Sequence, residues 1–177
     1  MKAEYDVEVE WQAFELHPEI PPEGMPLSAY IHTRFDAMSR RLKQMAGEVG
    51  LDMVTIEIIP NSRRALEAAE YARQQGQHEV FHRAVFQQLF AKGQDISRWE
   101  VLHAAAEEAG LAPEAMQQAT EAGQFQLAVE AQINGARALG ITGVPTYIFN
   151  DRYAIVGAQP YETFQEVMVR LMADAEY

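Results

Sequence analysis

The sequence predicts an α/β protein, and three observations carry that expectation. Residues near the start alternate apolar and acidic with a period of two. From about residue 27 to 139 apolar residues recur at helical spacing, interrupted by glycines. Near the end, two short runs rich in β-branched and aromatic residues flank Asn150-Asp151. The expected order is a strand, a long helical block, a hairpin and a final helix.

The first strand is read from Tyr5, Val7, Val9 and Trp11, which alternate with Glu4, Asp6, Glu8, Glu10 and Gln12, so that one face is buried and the other acidic. Phe14 and Leu16 shift the phase, which predicts a bend near Ala13. Pro18, Pro21, Pro22 and Pro26 then predict a stiff loop that enters neither a helix nor a ladder. Leu27, Ile31, Phe35, Met38, Leu42, Met45 and Val49 mark the next helix, with Gly50 as its stop. Residues 51–59 are apolar and suit a strand or an extended loop.

Asn61 or Ser62 is expected to cap a helix whose face is mostly alanine (Ala65, Ala68, Ala69, Ala72), ended by Gly76. Phe81, Ala84, Val85 and Leu89 mark another, ended by Gly93. Ser97-Arg98-Trp99-Glu100 has the spacing of a capping box and opens a helix that stops at Gly110. Pro113 suits the first turn of a short helix to about Glu121, and a longer one follows from Gln124 to Leu139, with Gly140 beyond it. Thr146 to Phe149 and Tyr153 to Val156 form the hairpin around Asn150-Asp151. Pro160 opens a final helix carrying Phe164, Val167, Met168 and Leu171.

The composition bounds the function. The chain has 177 residues, 48% of them hydrophobic and 23% charged, as in an ordinary globular protein. A net charge of −12 argues against nucleic acid or an anionic membrane as partner, because both attract basic patches. The chain contains no cysteine, so it can build no disulfide, zinc thiolate or nucleophilic thiol. Met1 to Asp6 has no apolar signal region, and no apolar run approaches the roughly 20 residues that span a bilayer, so a cytoplasmic location is expected.

Residues 141–149, Ile-Thr-Gly-Val-Pro-Thr-Tyr-Ile-Phe, are the most informative segment. A proline opening a strand cannot donate to the ladder and must sit at an edge or a special backbone position. Gly143 is expected to supply backbone freedom before it, and the bond into Pro145 is of the type in which cis is cheap. A constrained turn feeding a strand follows; a plain loop-to-strand entry is the simpler alternative.

Gly143-Val144-Pro145-Thr146, followed by the run from Asn150 through Gly157 to Pro160, resembles the DsbA-like thioredoxin-fold proteins, in particular their FrnE-like branch. Glu10 to Pro18 and Pro21-Pro22-Glu23-Gly24 look like the second strand and following loop of that branch, and Pro60-Asn61-Ser62 before an alanine-rich helix suits its inserted helical domain. The resemblance implies a thioredoxin-like core over 1–26 and 140–177, with an all-helical insertion over 27–139. It implies thiol–disulfide exchange at a Cys-x-x-Cys helix, since only a thiolate attacks a disulfide. That helix and the strand before it are missing from this sequence, so the chain is expected to be a shortened or decayed member, inactive in dithiol exchange, with two sheet edges unpaired and a homodimer as one way to cover them.

By the same resemblance Gly143, Val144, Pro145 and Thr146 would hold an extended peptide or thiol substrate through backbone groups. Asn61 and His17 are secondary candidates, and no catalytic residue, cofactor or metal is expected. A related branch, the kappa-class glutathione transferases and hydroxychromene-carboxylate isomerases, shares the fold and would suit Asn61. However, Gly157-Ala158-Gln159-Pro160 stands where a glycine followed by a polar and an acidic residue is expected for gripping glutathione.

His78-Glu79-Val80-Phe81-His82 matches the His-Glu-x-x-His zinc pattern, with Glu100, Glu107 and Glu108 as conceivable third ligands. Gly76 upstream, Arg83 alongside and the apolar face through Phe81, Val85 and Leu89 weigh against it. His17, His32 and His103 read as loop, surface or boundary residues, Arg63 and Arg64 as a solvated pair in preference to an anion site, and Trp11 and Trp99 as core.

Overall fold

The computed structural model describes residues 1–26 and 40–175. By contact the chain divides into two units, one of Met1–Leu16 with Gln132–Tyr177, the other His17–Ala131. The expected helix positions Leu27, Ile31, Phe35 and Met38, and His32, lie outside the described residues.

The second unit is helical, and its helices follow from alanine and glycine. The described part of α1 covers 40–48 and ends where Gly50 takes φ 72°. α2 (Arg63–Gln74), α3 (His78–Phe86), α4 (Trp99–Glu108) and α5 (Pro113–Glu121) come next. Ala65, Ala68 and Ala72 are buried on α2, small enough to let the backbones of its neighbours approach, and they meet Phe81, Leu102, Ala105, Ala106 and Met116 in one core. Tyr71 meets Phe125 edge to face at 6.1 Å. α3 runs into a widened turn, Gln87–Ala91, before Gly93 stops it at φ 67°.

Two expectations fail here. The proline-rich segment does enter a ladder: β1 (Met25–Pro26) pairs antiparallel with β2 (Ile58–Ile59), Pro26 opposite Ile58. A ladder this short has an outer side that needs no donor, so the missing N–H of Pro26 costs nothing there. Residues 51–57 form no strand, although Val54 N donates to Phe90 O at 2.7 Å. The capping box is also displaced. Arg98, not Ser97, is the N-cap residue of α4, while Ser97 turns back to Asp95, its N and Oγ both donating to Oδ1 at 2.9 and 2.7 Å.

The first unit carries the second sheet. α6 (Gln126–Ala138) leads to β3 (Thr146–Phe149), which pairs antiparallel with β4 (Tyr153–Val156), and α7 (Tyr161–Ala175) closes the chain. Asn150 and Asp151 take positive φ of 48° and 55° in the connecting loop, a region these two residue types tolerate. Tyr147 and Phe149 point to one face of the hairpin, where Phe164 of α7 meets them at 4.8 and 6.2 Å between ring centroids. Ile155 and Met168 are buried in the same unit. The opposite hairpin face leaves Ile148 and Val156 exposed.

The predicted first strand does not form: among the described residues, 6–15 join no ladder, and Val9 and Trp11 are 48% and 42% exposed, so Trp11 is not a core residue. Val7 is half-buried while Glu8, Val9, Glu10 and Trp11 are all exposed, so the period of two in the sequence is not matched by alternating burial. Ala13 is buried and anchors the segment, its N donating to Gln132 Oε1 at 2.6 Å. No helix among the described residues is long and apolar enough to cross a membrane.

Gly24 is the position at which backbone freedom matters most. Its φ is 79°, and a Cβ there would stand 2.9 Å from Ile58 Cγ2 and 3.1 Å from Ile59 O. Gly24→Ala is expected to cost about 1–3 kcal/mol, read as a lowered urea midpoint. An unchanged midpoint would show that the β1–β2 contact yields freely.

Candidate functional site

The proline loop is built by its own chain. The Val144–Pro145 peptide is cis. Thr146 Oγ1 donates to Gly143 O at 2.7 Å, closing the loop across its two ends, and Gly157 N donates to Pro145 O at 2.8 Å. The last bond sets the phase of the ladder. Residue 145 faces 157 as a bonded pair, so Tyr147 with Ile155 and Phe149 with Tyr153 continue the bonded pairs. Thr146 and Ile148 therefore turn their N–H and C=O to the other edge of β3. Val144 is 51% exposed beside that edge.

Gly143 does not play the part expected of it. Its φ lies outside the positive range, and a Cβ there would meet nothing within 4 Å. The turn relies on Thr146 and Pro145 and makes no demand for glycine.

Asn61 and His17 belong to the other unit, and both have local partners. Asn61 Nδ2 donates to Ile20 O at 2.6 Å, and its Oδ1 accepts from Arg63 N at 2.9 Å, so one amide fixes the incoming loop and the start of α2 together. His17 Nδ1 lies 2.9 Å from Glu19 Oε1 on the surface. The Glu19 carboxyl is held below its usual range by a backbone hydrogen bond first and by His17 second.

The two arginines at the start of α2 are a correction to the solvated pair. Arg63 Nε bonds Glu67 at 2.6 Å and its Nη2 reaches Glu130 at 3.2 Å. Arg64 donates to Ser97 O and stacks over Trp99 with 4.9 Å from Cζ to the ring centroid. Both guanidiniums tie helices to each other.

His78 and His82 stack along α3 at 5.9 Å, and His82 continues onto Phe86 at 4.4 Å and Phe86 onto Phe90 at 5.4 Å. The Arg73 guanidinium stands 3.3 Å from His78 Nε2, a nitrogen that a metal would need. Among the described residues no three metal-ligating side chains gather. Burial first, then the neighbouring His78, lowers His82 to a pKa of about 4, with Glu79 opposing. His78 is lowered by burial and by Arg73, against Glu70. Sequence reasoning missed this aromatic ladder, although the four-residue spacing of 78, 82, 86 and 90 carries it.

A family model described as DSBA-like thioredoxin domain matches residues 1–169. The uncharacterized protein YwbO of Bacillus subtilis (strain 168) is 28% identical over 166 residues, which span 92% of this chain and 82% of that protein. Among solved structures, a probable DsbA oxidoreductase from Streptomyces coelicolor superposes with a TM-score of 0.82 at 24% identity, over 92% of this chain and 74% of that one. A 2-hydroxychromene-2-carboxylate isomerase superposes with a TM-score of 0.77 at 20% identity, over 98% of this chain and 86% of that one. At these identities the two structures bear on the fold alone.

Two outcomes are expected. Gly143→Ala is expected to change stability by no more than about 0.5 kcal/mol; a large loss would mean the loop needs glycine after all. The histidine stack predicts acid sensitivity. A base whose folded-state pKa is lowered contributes its full stability above its unfolded value, 6.5. That contribution fades as pH falls from there toward about 4, because the unfolded chain binds the proton first. The melting temperature is expected to drop across this window, and His82→Phe to recover roughly 2–4 °C of the drop. Parallel melting curves for the variant and the parent chain would remove His82 as a cause.

Proposed function

Because the chain belongs to the DSBA-like thioredoxin domain family, we propose that it is a FrnE-type member without redox chemistry of its own, which holds an extended peptide along the proline loop and the free edge of β3. The observation that carries this reading is an edge of β3 that no described residue pairs with: Thr146 and Ile148 turn ladder groups outward beside an exposed Val144. An extended peptide supplies the matching donors and acceptors in any sequence, so affinity comes from backbone and is broad in specificity.

The absence of cysteine separates recognition from chemistry. Disulfide exchange needs an attacking thiolate, and this chain has none to offer. A thiol-bearing substrate could still be held in the same backbone register. The isomerase likeness supplies a second reading, but Asn61, the residue that would serve it, spends its side-chain oxygen and nitrogen on Arg63 N and Ile20 O.

Two measurements test the proposal. Insulin reduction by this chain should match buffer alone, and a rate above it would overturn the redox-inactive reading. A neutral extended peptide alternating valine and threonine should bind. Ile148→Pro, which removes one outward N–H, should weaken that binding about tenfold, the worth of one ladder bond. Ile148→Ala, which keeps the N–H, should lose much less. Equal losses would mean that the side chain, and not the backbone, is recognised.

A further inference from the structure

A tight turn, residues 75–77, joins α2 to α3, and Gly76 takes φ 70° within it. Across that turn the last coil of α2 meets the first residue of α3, with Arg73 Nη2 standing 3.3 Å from His78 Nε2. The chemistry of the two groups fixes where the imidazole hydrogen sits. A guanidinium has donors, no acceptor, and no proton to give up in a protein, so the bond requires a lone pair on Nε2. His78 is therefore neutral and carries its hydrogen on Nδ1. A further proton enters at Nε2, the atom that accepts from Arg73. It sets N–H against N–H and cation against cation, and the contact breaks.

The surrounding charges favour that release. On α2, Glu70 accepts from Arg73 Nε through both carboxylate oxygens at 3.2 Å, so Arg73 keeps an anionic partner when His78 lets go. On α3, His82 stacks on His78 at 5.9 Å, and Glu79, the acid that opposes charge on His82, stands 3.7 Å from Arg83. α4 also packs on α3, but among the described residues its charged and titratable side chains are engaged elsewhere or exposed. Glu100 pairs with Arg98, His103 stacks on Trp99, and Glu107 and Glu108 lie on the surface. The widened turn after α3 carries no charged residue.

We propose that Arg73 and His78 form a proton-operated latch between α2 and α3. Neutral His78 keeps the start of α3 closed on the end of α2, and a proton on Nε2 opens it, with Gly76 as the joint. Opening releases the anchored end of the row from His78 through His82 and Phe86 to Phe90, while the alanine-rich core stays folded. Burial first and Arg73 second hold His78 below its ordinary value of 6.5, against Glu70. A group that is harder to protonate in the closed state keeps the latch shut at neutral pH and opens it as pH falls below 6.5.

The test joins a histidine NMR titration to amide hydrogen exchange, on the full chain carrying His82→Phe, where His78 is the one imidazole left on α3. At neutral pH His78 should carry its hydrogen on Nδ1. On acidification, protection of the Phe81 and Arg83 amides should fall about tenfold beyond the intrinsic pH dependence of exchange, while Leu102 and Ala105 of α4 keep theirs. Arg73→Met removes both donor and charge, and should raise the His78 midpoint by about one unit. His78→Gln supplies an acceptor that takes no proton, and should abolish the acid-dependent loss of protection.

A hydrogen on Nε2 of His78 at neutral pH would overturn the latch. So would a midpoint that Arg73→Met leaves unmoved, or a loss of protection that persists in His78→Gln. If His82→Phe alone abolished the loss, the effect would belong to His82 and the latch would fall as well. The hydrogen position is read with Arg73 in place, so it decides the matter even where Arg73→Met does not fold.

Discussion

An extended backbone satisfies none of its own hydrogen bonds, and the first unit is organised by that constraint. A helix closes its ladder within itself, whereas a strand must borrow donors and acceptors from a neighbour. β3 and β4 lend to each other on one side, and α7 covers one face with Phe164. Among the described residues no strand pairs with the remaining edge of β3, and the backbone of residues 6–10 makes no backbone hydrogen bond. Solvation makes this affordable for the free chain, but the same groups are a template for any strand that arrives.

The second unit shows the contrary solution. Most of its backbone is satisfied within helices, with one short ladder between β1 and β2, so its cohesion is largely a matter of side chains. The alanine face of α2 allows close approach, Phe81, Leu102 and Met116 fill the space between helices, and Arg63 and Arg64 fasten neighbouring segments by charge and stacking. Asn61 joins loop to helix with a single amide. Burial lowers the pKa of both histidines of α3, which stand in a row with Phe86 and Phe90.

What was legible in the sequence was whatever depends on one element at a time. The helical periods from Ala65 onward, the glycine stops at Gly50, Gly76, Gly93, Gly110 and Gly140, and the hairpin at Asn150-Asp151 each follow from local chemistry, and the structure shows them, whereas the period of two near the start forms no ladder among the described residues. The motifs around Pro145 carried the resemblance to the family. The misses depend on partners that no window of sequence contains. Pro26 pairs because Ile58 comes alongside it; Ser97 leaves the cap because Asp95 offers a better acceptor; Arg63 and Arg64 are consumed by Glu130 and Trp99, far away in the chain. Gly143 looked necessary because glycine so often marks a strained turn, but here Thr146 closes the loop with its hydroxyl. Gly24 drew no such attention, and it is the one that sits against Ile58 and Ile59.

A thioredoxin-type fold without a thiol retains half of its usual chemistry, and that half is geometric. Exchange at sulfur requires a nucleophile, while presentation of a chain to it requires only an edge with groups in register. The two functions are therefore separable in principle, and loss of the first does not erode the second, because no side chain at Val144 or Ile148 has to change. β3 carries no charged side chain within its strand, so on the proposed reading selection of a peptide there rests on backbone register and shape and not on charge.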